Sequence, residues 1–268
     1  MSDILLSELH FYPVKSLRGV KLQRAPVDRR GIRRDRHWMV VDESGRFLTQ
    51  RQESRMALIG TRLIPGGLRL CAPGMADLEL PFEEGSGEPL QVQVWEDLCQ
   101  ARAAGPAADQ WLGRFLGRPC RLVYLPEESR RPVDPAFATP QDQTGFSDGF
   151  PFLLISQASL DDLNARLSRP VPMRRFRPNL VVQGCAPYAE DRWRRIRIGA
   201  VEFRVVKPCS RCAIPTIDID TGERGQEPLR TLGQYRRRGN KVYFGQNLLH
   251  DGTGVLETGL RVEVLEQE

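Results

Sequence analysis

Short apolar runs separated by turn residues dominate the hydrophobic pattern of this 268-residue chain. Such runs at close, regular spacing are typical of the strands of barrels and sandwiches. The segments Glu43-Ser44-Gly45-Arg46 and Pro65-Gly66-Gly67 supply turns between them. The pattern therefore predicts a mainly β fold. In the first half we expect strands at residues 5–14, 20–27, 37–41, 47–50, 58–63, 68–71, 90–95 and 121–125.

Two segments interrupt the strands with apolar residues at helical spacing. One helix is predicted over residues 107–116, and another is predicted to begin near Ser156. Their apolar positions are Ala108, Trp111, Leu112 and Phe115 in the first, and Leu160, Leu163 and Leu167 in the second. Around the second helix, strands are expected at residues 151–155 and near Leu180, Ile196, Val201, Val242 and Leu260. The fold class is thus mainly β (α+β), with a few helices.

Residues 126–145 are polar, rich in proline and without either period. Loops of this length in compact domains are usually functional or mobile. The segment predicts a boundary between two domains, residues 1–125 and 126–268.

The sequence shows no apolar run of ~18 residues and no basic segment followed by an apolar stretch at its start. We therefore expect a cytoplasmic protein without a membrane span, with its thiols reduced. Six cysteines are scattered along the chain: Cys71, Cys99, Cys120, Cys185, Cys209 and Cys212.

The net charge of +5 comes from 39 basic and 34 acidic residues. Lysine occupies four of the basic positions, Lys15, Lys21, Lys207 and Lys241, so arginine fills the rest. Arginine keeps its charge and matches phosphate oxygens with its planar fork, which makes loop arginines candidate phosphate ligands. Because basic and acidic residues are interspersed and no nucleic-acid motif is present, we expect no nucleic-acid partner.

Cys209 and Cys212 form a Cys-x-x-Cys pair between the apolar run 201–206 and a loop that contains proline. Such a pair can be a redox dithiol, half of a zinc site or two unrelated buried thiols. Arg211 beside Cys212 favours a thiolate that binds a metal or cofactor. Three dispersed histidines do not assemble a zinc triad or a Cys-His cluster.

Eight short motifs follow one another along the chain. They are Tyr12-Pro13-Val14-Lys15-Ser16, Asp35-Arg36-His37-Trp38, Phe146-Ser147-Asp148, Phe176-Arg177-Pro178-Asn179, Tyr188-Ala189-Glu190-Asp191, Cys209-Ser210-Arg211-Cys212, Glu227-Pro228-Leu229-Arg230-Thr231-Leu232 and Phe244-Gly245-Gln246-Asn247. Together they resemble the MOSC family, in the branch of the mitochondrial amidoxime-reducing component and its bacterial relatives. The resemblance implies an N-terminal β-barrel-like domain packed on a MOSC β-barrel.

The resemblance also implies a molybdenum cofactor, a phosphorylated pterin dithiolene, bound between the two domains. Cys212 would be the metal ligand, since a soft thiolate suits this metal. The implied cofactor-binding residues are Lys15, Ser16, Arg36, Arg177, Asn179, Ser210, Arg211 and Cys212. Taken alone, Lys15 could be a solvated loop lysine, Arg36 a local partner of Asp35, and Cys209 a buried small apolar residue.

Asp148 is the candidate catalytic carboxylate beside Cys212. Small hydroxyl residues follow this acid in the relatives, whereas Gly149 and Phe150 follow it here. Asp-Gly is also a common turn pair, so a turn role for Asp148 stays open.

The resemblance implies an enzyme, a molybdenum-dependent reductase of small N-hydroxylated substrates. No plant-type Cys-x4-Cys-x2-Cys spacing is present, so we expect no iron–sulfur cluster in this chain and an external electron-transfer protein of the ferredoxin, flavodoxin or cytochrome type. Two other classes stay open: a cofactor carrier or sulfur-transfer protein using Cys212, and a zinc or redox-thiol module using Cys209 and Cys212.

Overall fold

A computed structural model describes residues 3–82 and 87–268 of the chain. The strands of the first half are β1 Leu5–Phe11, β2 Val20–Leu22, β3 Arg24–Asp28, β4 Gly31–Ile32, β5 Trp38–Val41, β6 Gly60–Ile64, β7 Gly67–Cys71, β8 Leu78–Pro81, β9 Pro89–Val94, β10 Asp97–Ala103 and β11 Arg121–Tyr124. Those of the second half are β12 Phe152–Ser156, β13 Leu180–Gln183, β14 Trp193–Ile198, β15 Val201–Ser210, β16 Arg237–Arg238, β17 Lys241–Asp251, β18 Gly254–Glu257 and β19 Val262–Gln267. The α-helices are α1 Pro106–Leu116, α2 Gln157–Asn164 and α3 Leu229–Tyr235. Single 3₁₀ turns lie at Ser54–Leu58, Met173–Arg175, Ala189–Asp191 and Ile214–Thr216.

The largest sheet runs in the order β19-β14-β15-β17-β12-β13-β1-β2 and closes into a barrel. Closure occurs where β1 meets the segment before β19: Leu5 bridges Arg261, and the Val262 N–H donates to the Ile4 carbonyl at 2.8 Å. Apolar side chains from both halves of the chain fill the interior, such as Leu9 from the first half and Phe203 from the second. Closure pairs β1 with the segment that leads into β19, so these strands are not left as unpaired sheet edges.

A second β unit packs beside the barrel. It contains the sheet β5-β11-β10-β9 and the three-stranded sheet β6-β7-β8. Helix α1 buries Ala108, Leu112 and Phe115 against them. The Asp109 carboxylate accepts a 2.8 Å hydrogen bond from the Leu122 N–H, which ties α1 to β11.

The mainly β fold class is confirmed, and so are helix α1 and a second helix whose N-cap is Ser156. The predicted strand 47–50 is wrong. Phe47 makes one isolated bridge to Val41, and the chain then turns because the Gln52 side chain accepts hydrogen bonds from the Thr49 N–H and hydroxyl. The single strand predicted over 20–27 is two strands, β2 and β3, with different partners.

Strands β1 and β2 belong to the first half of the sequence but lie in the barrel sheet. The two predicted halves are therefore interleaved at this point, and the domain boundary at residues 125/126 stays a prediction. Over the residues described, no helix is long and apolar enough to cross a membrane.

Residues 126–145 contain no helix or strand, as their composition predicted. Arg131 in this segment is only 2% exposed, and its guanidinium donates to the Gly145 and Ser147 carbonyls, both at 2.7 Å. The segment thus supports the loop that carries Asp148.

Candidate active site

One cavity lies where the end of β1, the β4–β5 turn, the loop before β12, the turn before β13 and the end of β15 meet. All nine predicted site residues line it: Lys15, Ser16, Arg36, Asp148, Arg177, Asn179, Ser210, Arg211 and Cys212. Residues separated by up to almost 200 positions in the sequence are thus gathered in one place by the barrel and its neighbouring sheet.

The backbone at this cavity adopts conformations that side chains usually avoid. Ser16, Arg36 and Arg177 all have left-handed backbone, with φ of 65°, 47° and 59°. Such conformations cost free energy and cluster at functional sites. Gly145 permits a further close approach: a Cβ there would lie 2.7 Å from the Asp35 carbonyl oxygen. Packing therefore fixes the direction of these side chains.

The buried end of the cavity, which we call the inner cluster, contains Tyr12, Asp35, Arg36, Arg177 and Asn179. Tyr12 lies between two guanidinium groups, with the Arg36 and Arg177 carbons at 4.3 and 4.4 Å from its ring centroid. Arg36 pairs with the buried Asp35 carboxylate and donates to the Asn179 amide oxygen at 2.9 Å. The Asp35 pairing foreseen for Arg36 is thus present, and Arg36 also lines the cavity.

Burial shifts the ionisation of the inner cluster. It raises the pKa of Tyr12 to about 12, so the phenol stays neutral. Burial, together with the charge of Arg36, lowers the pKa of Arg177 to about 10, which leaves Arg177 charged at neutral pH. Two positive charges facing one carboxylate make this end of the cavity cationic.

A second group, which we call the outer cluster, consists of Lys15, Arg51, Asp148 and Cys212, with Asp148 exposed at the cavity mouth. The Lys15 ammonium donates to an Asp148 carboxylate oxygen at 2.6 Å and to the Phe146 carbonyl at 2.8 Å. Arg51 Nη1 lies 3.4 Å from Asp148 Oδ2 and 3.3 Å from Cys212 Sγ. A carboxylate and the predicted metal ligand therefore share one donor.

Burial and charge act in opposite directions on the outer cluster. Burial lowers the pKa of Lys15 to about 8, although Asp148 favours its charged form. Desolvation opposes ionisation of Asp148, but the charges of Lys15 and Arg51 outweigh it and hold the pKa of that carboxyl well below its usual range. Because the Asp148 side chain is 54% exposed at the cavity mouth, water also stabilises its charge.

The two cysteines of the Cys-x-x-Cys pair have different neighbours. Arg211 Nη1 donates to Cys209 Sγ at 3.1 Å, whereas Arg51 contacts Cys212 Sγ. The pairing of β15 with β17 shifts register between Val205 and Lys207 and again between Pro208 and Ser210. Such bulges redirect side chains next to active sites. Both thiols are free, and each contacts a different arginine.

The side chains present fit a soft metal that carries an anionic group. Cys212 offers a thiol, and Lys15, Arg36, Arg177 and Arg211 line the same cavity with positive charge. Two buried donors at the site, Arg51 Nη2 and Arg211 Nε, have no hydrogen-bond partner among the residues described. Buried donors are rarely left unpaired, and Arg211 lines the cavity, so its Nε group is available to a ligand there. Within the same residues, no group of three or more His, Cys, Asp and Glu side chains is arranged to hold a metal ion.

Comparison with known proteins adds an independent observation. The MOSC N-terminal beta barrel domain matches residues 4–119, and the MOSC domain matches residues 141–263. The mitochondrial amidoxime-reducing component 1 of Mus musculus is 39% identical over 98% of this chain and 82% of that protein. The chain belongs to the MOSC family. Among other MOSC proteins, the mitochondrial amidoxime-reducing component 1 of Homo sapiens is 38% identical over 98% of this chain and 83% of its own length. The molybdenum cofactor sulfurase of Oryza sativa subsp. japonica is 33% identical over 91% of this chain but 32% of its own length.

Sequence reasoning missed three side chains of this MOSC site. Tyr12 belongs to the first of the eight motifs, but its position before Pro13 did not indicate that it would lie between two arginines. Arg51 and Arg131 stood in no motif. Their partners lie far away along the chain or on loops, where spacing and periodicity carry no signal.

Proposed function

We propose that this MOSC protein binds a molybdenum cofactor in the cavity and reduces N-hydroxylated compounds with electrons from a separate protein. The observation that carries the proposal is the convergence of Cys212 with the cationic side chains on a single cavity. The names of the relatives, amidoxime-reducing component and molybdenum cofactor sulfurase, point in the same direction. The fold and the site are thus consistent with cofactor-dependent redox chemistry.

The residues divide naturally between the parts of such a cofactor. Cys212 would hold the metal, and the cationic side chains would hold the phosphate through charge-assisted hydrogen bonds. We assign this second role to Arg36, Arg177 and Arg211, with Lys15, Ser16, Asn179 and Ser210 contacting the pterin. When bound, the cofactor would supply the two electrons of the reaction.

Reduction of an N–OH group consumes protons as well as electrons. The N–O bond breaks, the substrate takes up two electrons and two protons, and the products are the reduced nitrogen compound and water. Lys15 holds a proton at Nζ, 2.6 Å from Asp148. Its lowered pKa of about 8 lies close to neutral pH. We assign proton delivery at the leaving oxygen to Lys15, because a group with a pKa near the working pH transfers protons most effectively, and we assign Asp148 to orienting the Lys15 ammonium for that transfer.

The assay that tests this function uses a reduced viologen as a chemical electron donor and an amidoxime as the substrate. Cofactor-loaded protein should release the amidine with the viologen and be nearly inactive with a nicotinamide donor alone. Cys212→Ala should lose turnover, whereas the matched variant Cys209→Ala should keep most of it. Molybdenum-loaded protein that reduces no N-oxygenated substrate with any donor would exclude the reductase.

A cofactor carrier or sulfur-transfer protein is the second candidate. It is favoured by the likeness to a relative named molybdenum cofactor sulfurase, although that likeness covers about a third of the relative. In that case the loaded chain would be inert in the viologen assay but would transfer its cofactor, or a sulfur atom carried on Cys212 as a persulfide, to an apoenzyme and so regenerate the Cys212 thiol. The domain boundary at 125/126, the cytoplasmic location and the absence of an iron–sulfur cluster stay predictions from the sequence.

A further inference from the structure

Arg51 does not line the cavity but lies directly behind two residues that do. Its Nη1 atom is 3.3 Å from Cys212 Sγ and 3.4 Å from Asp148 Oδ2. We propose that Arg51 is a positioning residue: it fixes the direction of the Cys212 sulfur and, through this hydrogen bond, sets the reduction potential of the metal that the sulfur binds. This inference rests on the proposed function and adds a residue to it.

The Arg51 guanidinium is held on its face as well as at its edge. Its central carbon lies 4.6 Å from the centroid of the Trp95 ring, and the side chain is 19% exposed. Trp95 is 43% exposed and has a left-handed backbone, with φ of 55°. Such a conformation is a genuine outlier for a bulky residue. Trp95 therefore has an unfavourable backbone conformation at the position from which its ring packs against Arg51.

The backbone of Arg51 is also anchored from the other half of the chain. Arg224 donates to three successive carbonyls, those of Gln50, Arg51 and Gln52, at 3.3, 3.0 and 3.2 Å. The Gln50 side chain in turn donates to the Ser16 carbonyl at 2.6 Å. Contacts to its backbone and to the face of its guanidinium thus support Arg51 in its position beside Cys212.

A charged donor to a metal-bound sulfur withdraws electron density from it. Partners of this kind orient a ligand and tune its metal, and removing them typically costs on the order of 10- to 100-fold in metal affinity or activity. Hydrogen bonds to ligand sulfurs also make metal centres easier to reduce. Loss of the Arg51 donor should therefore move the potential of the bound metal to more negative values.

The test compares Arg51→Met and Arg51→Lys with a matched control, Arg55→Met. Arg55 lies four residues further on, is exposed and stacks on Phe115 away from the cavity. In cofactor-loaded protein, redox titration followed by the Mo(V) electron paramagnetic resonance signal gives the midpoint potential. Arg51→Met should shift it to more negative values and lower kcat on the order of 10- to 100-fold. Arg51→Lys keeps the charge but not the planar guanidinium, so its midpoint potential and kcat should lie between those of Arg51→Met and the wild type. Arg55→Met should match the wild type.

A second measurement does not depend on the cofactor. In crystal structures of the metal-free protein, Cys212 should keep one rotamer in the wild type and in Arg55→Met but take several in Arg51→Met. Retention of the wild-type rotamer, or a wild-type midpoint potential in loaded Arg51→Met, would overturn the inference. Wild-type protein that never binds molybdenum would instead refute the proposed function, and the rotamer comparison would still decide whether Arg51 positions Cys212.

Discussion

The inner and outer clusters each contain a cation paired with an aspartate, but the two aspartate side chains differ in their exposure to solvent. The Asp35 side chain is 2% exposed, whereas the Asp148 side chain is 54% exposed. A buried carboxylate that loses its cation has no solvent to replace it, while one at a cavity mouth is solvated at once. We therefore infer that the Arg36 pair contributes mainly to stability and the Lys15 pair mainly to chemistry.

The largest effect on stability should come from the inner cluster. Arg36→Met leaves Asp35 buried without its cation, and we expect the free energy of unfolding to fall by about 3–5 kcal/mol. Urea unfolding followed by circular dichroism measures this change. Arg33→Met is the control, because Arg33 is 61% exposed and 3.9 Å from its partner Asp28. A loss below about 1 kcal/mol in Arg36→Met would remove the distinction between the clusters.

A smaller effect is expected where the long segment 126–145 supports the outer cluster. Arg131→Met removes the donor to the Gly145 and Ser147 carbonyls, and leaving buried acceptors unpaired costs about 1–3 kcal/mol. Thermal unfolding should show this loss, together with weaker cofactor retention because the Asp148 loop is freed. The control is Arg69→Met, which breaks an exposed pair with Glu79. If both variants melt alike, the segment does not support the loop.

The outer cluster should lose little stability and much activity. Lys15→Met makes the same kind of change as Arg36→Met, yet it leaves Asp148 exposed and still beside Arg51. We expect at most about 1 kcal/mol of destabilisation. Turnover with the viologen donor should fall on the order of 100-fold, as for loss of a general acid. Equal stability losses in the two variants would contradict the comparison.

The remaining prediction concerns the pH dependence of stability that arises from Lys15. Its folded pKa of about 8 lies below the ordinary 10.5, so the unfolded chain binds more protons between these values. The contribution of this group to the free energy of unfolding must therefore rise with pH across that window. At neutral pH the contribution is unfavourable to folding. Carbon-13 spectra of methylated lysines, of which the chain has four, can follow the titration in cofactor-free protein. A Lys15 signal that titrates at 10.5 would refute the assignment.

Sequence reasoning succeeded where the signal was local or collective. The helical spacing of Leu112 and Phe115 predicted α1, and all nine site residues predicted from the ordered motifs line one cavity. It failed at β10, where the buried positions are the small residues Cys99, Ala101 and Ala103, which give a weak apolar pattern.

The contacts of Arg51 could not have been predicted either. Its partner Cys212 is 161 residues away, and the contact exists because the barrel and the neighbouring sheet bring two loops together. Burial differences such as that between Asp35 and Asp148 likewise emerge only from packing. The motifs thus predicted residues that share one cavity, whereas the structure distinguished the buried from the exposed carboxylates among their partners.

The central claim is that Cys212 holds a molybdenum cofactor in this cavity. Its most direct test is metal analysis with release of the pterin from freshly purified wild type, Cys212→Ser and Cys209→Ser. The account predicts about one molybdenum per wild-type chain, loss of the metal in Cys212→Ser because serine offers no soft ligand, and retention of most of it in Cys209→Ser. Equal molybdenum content in the wild type and Cys212→Ser would contradict it.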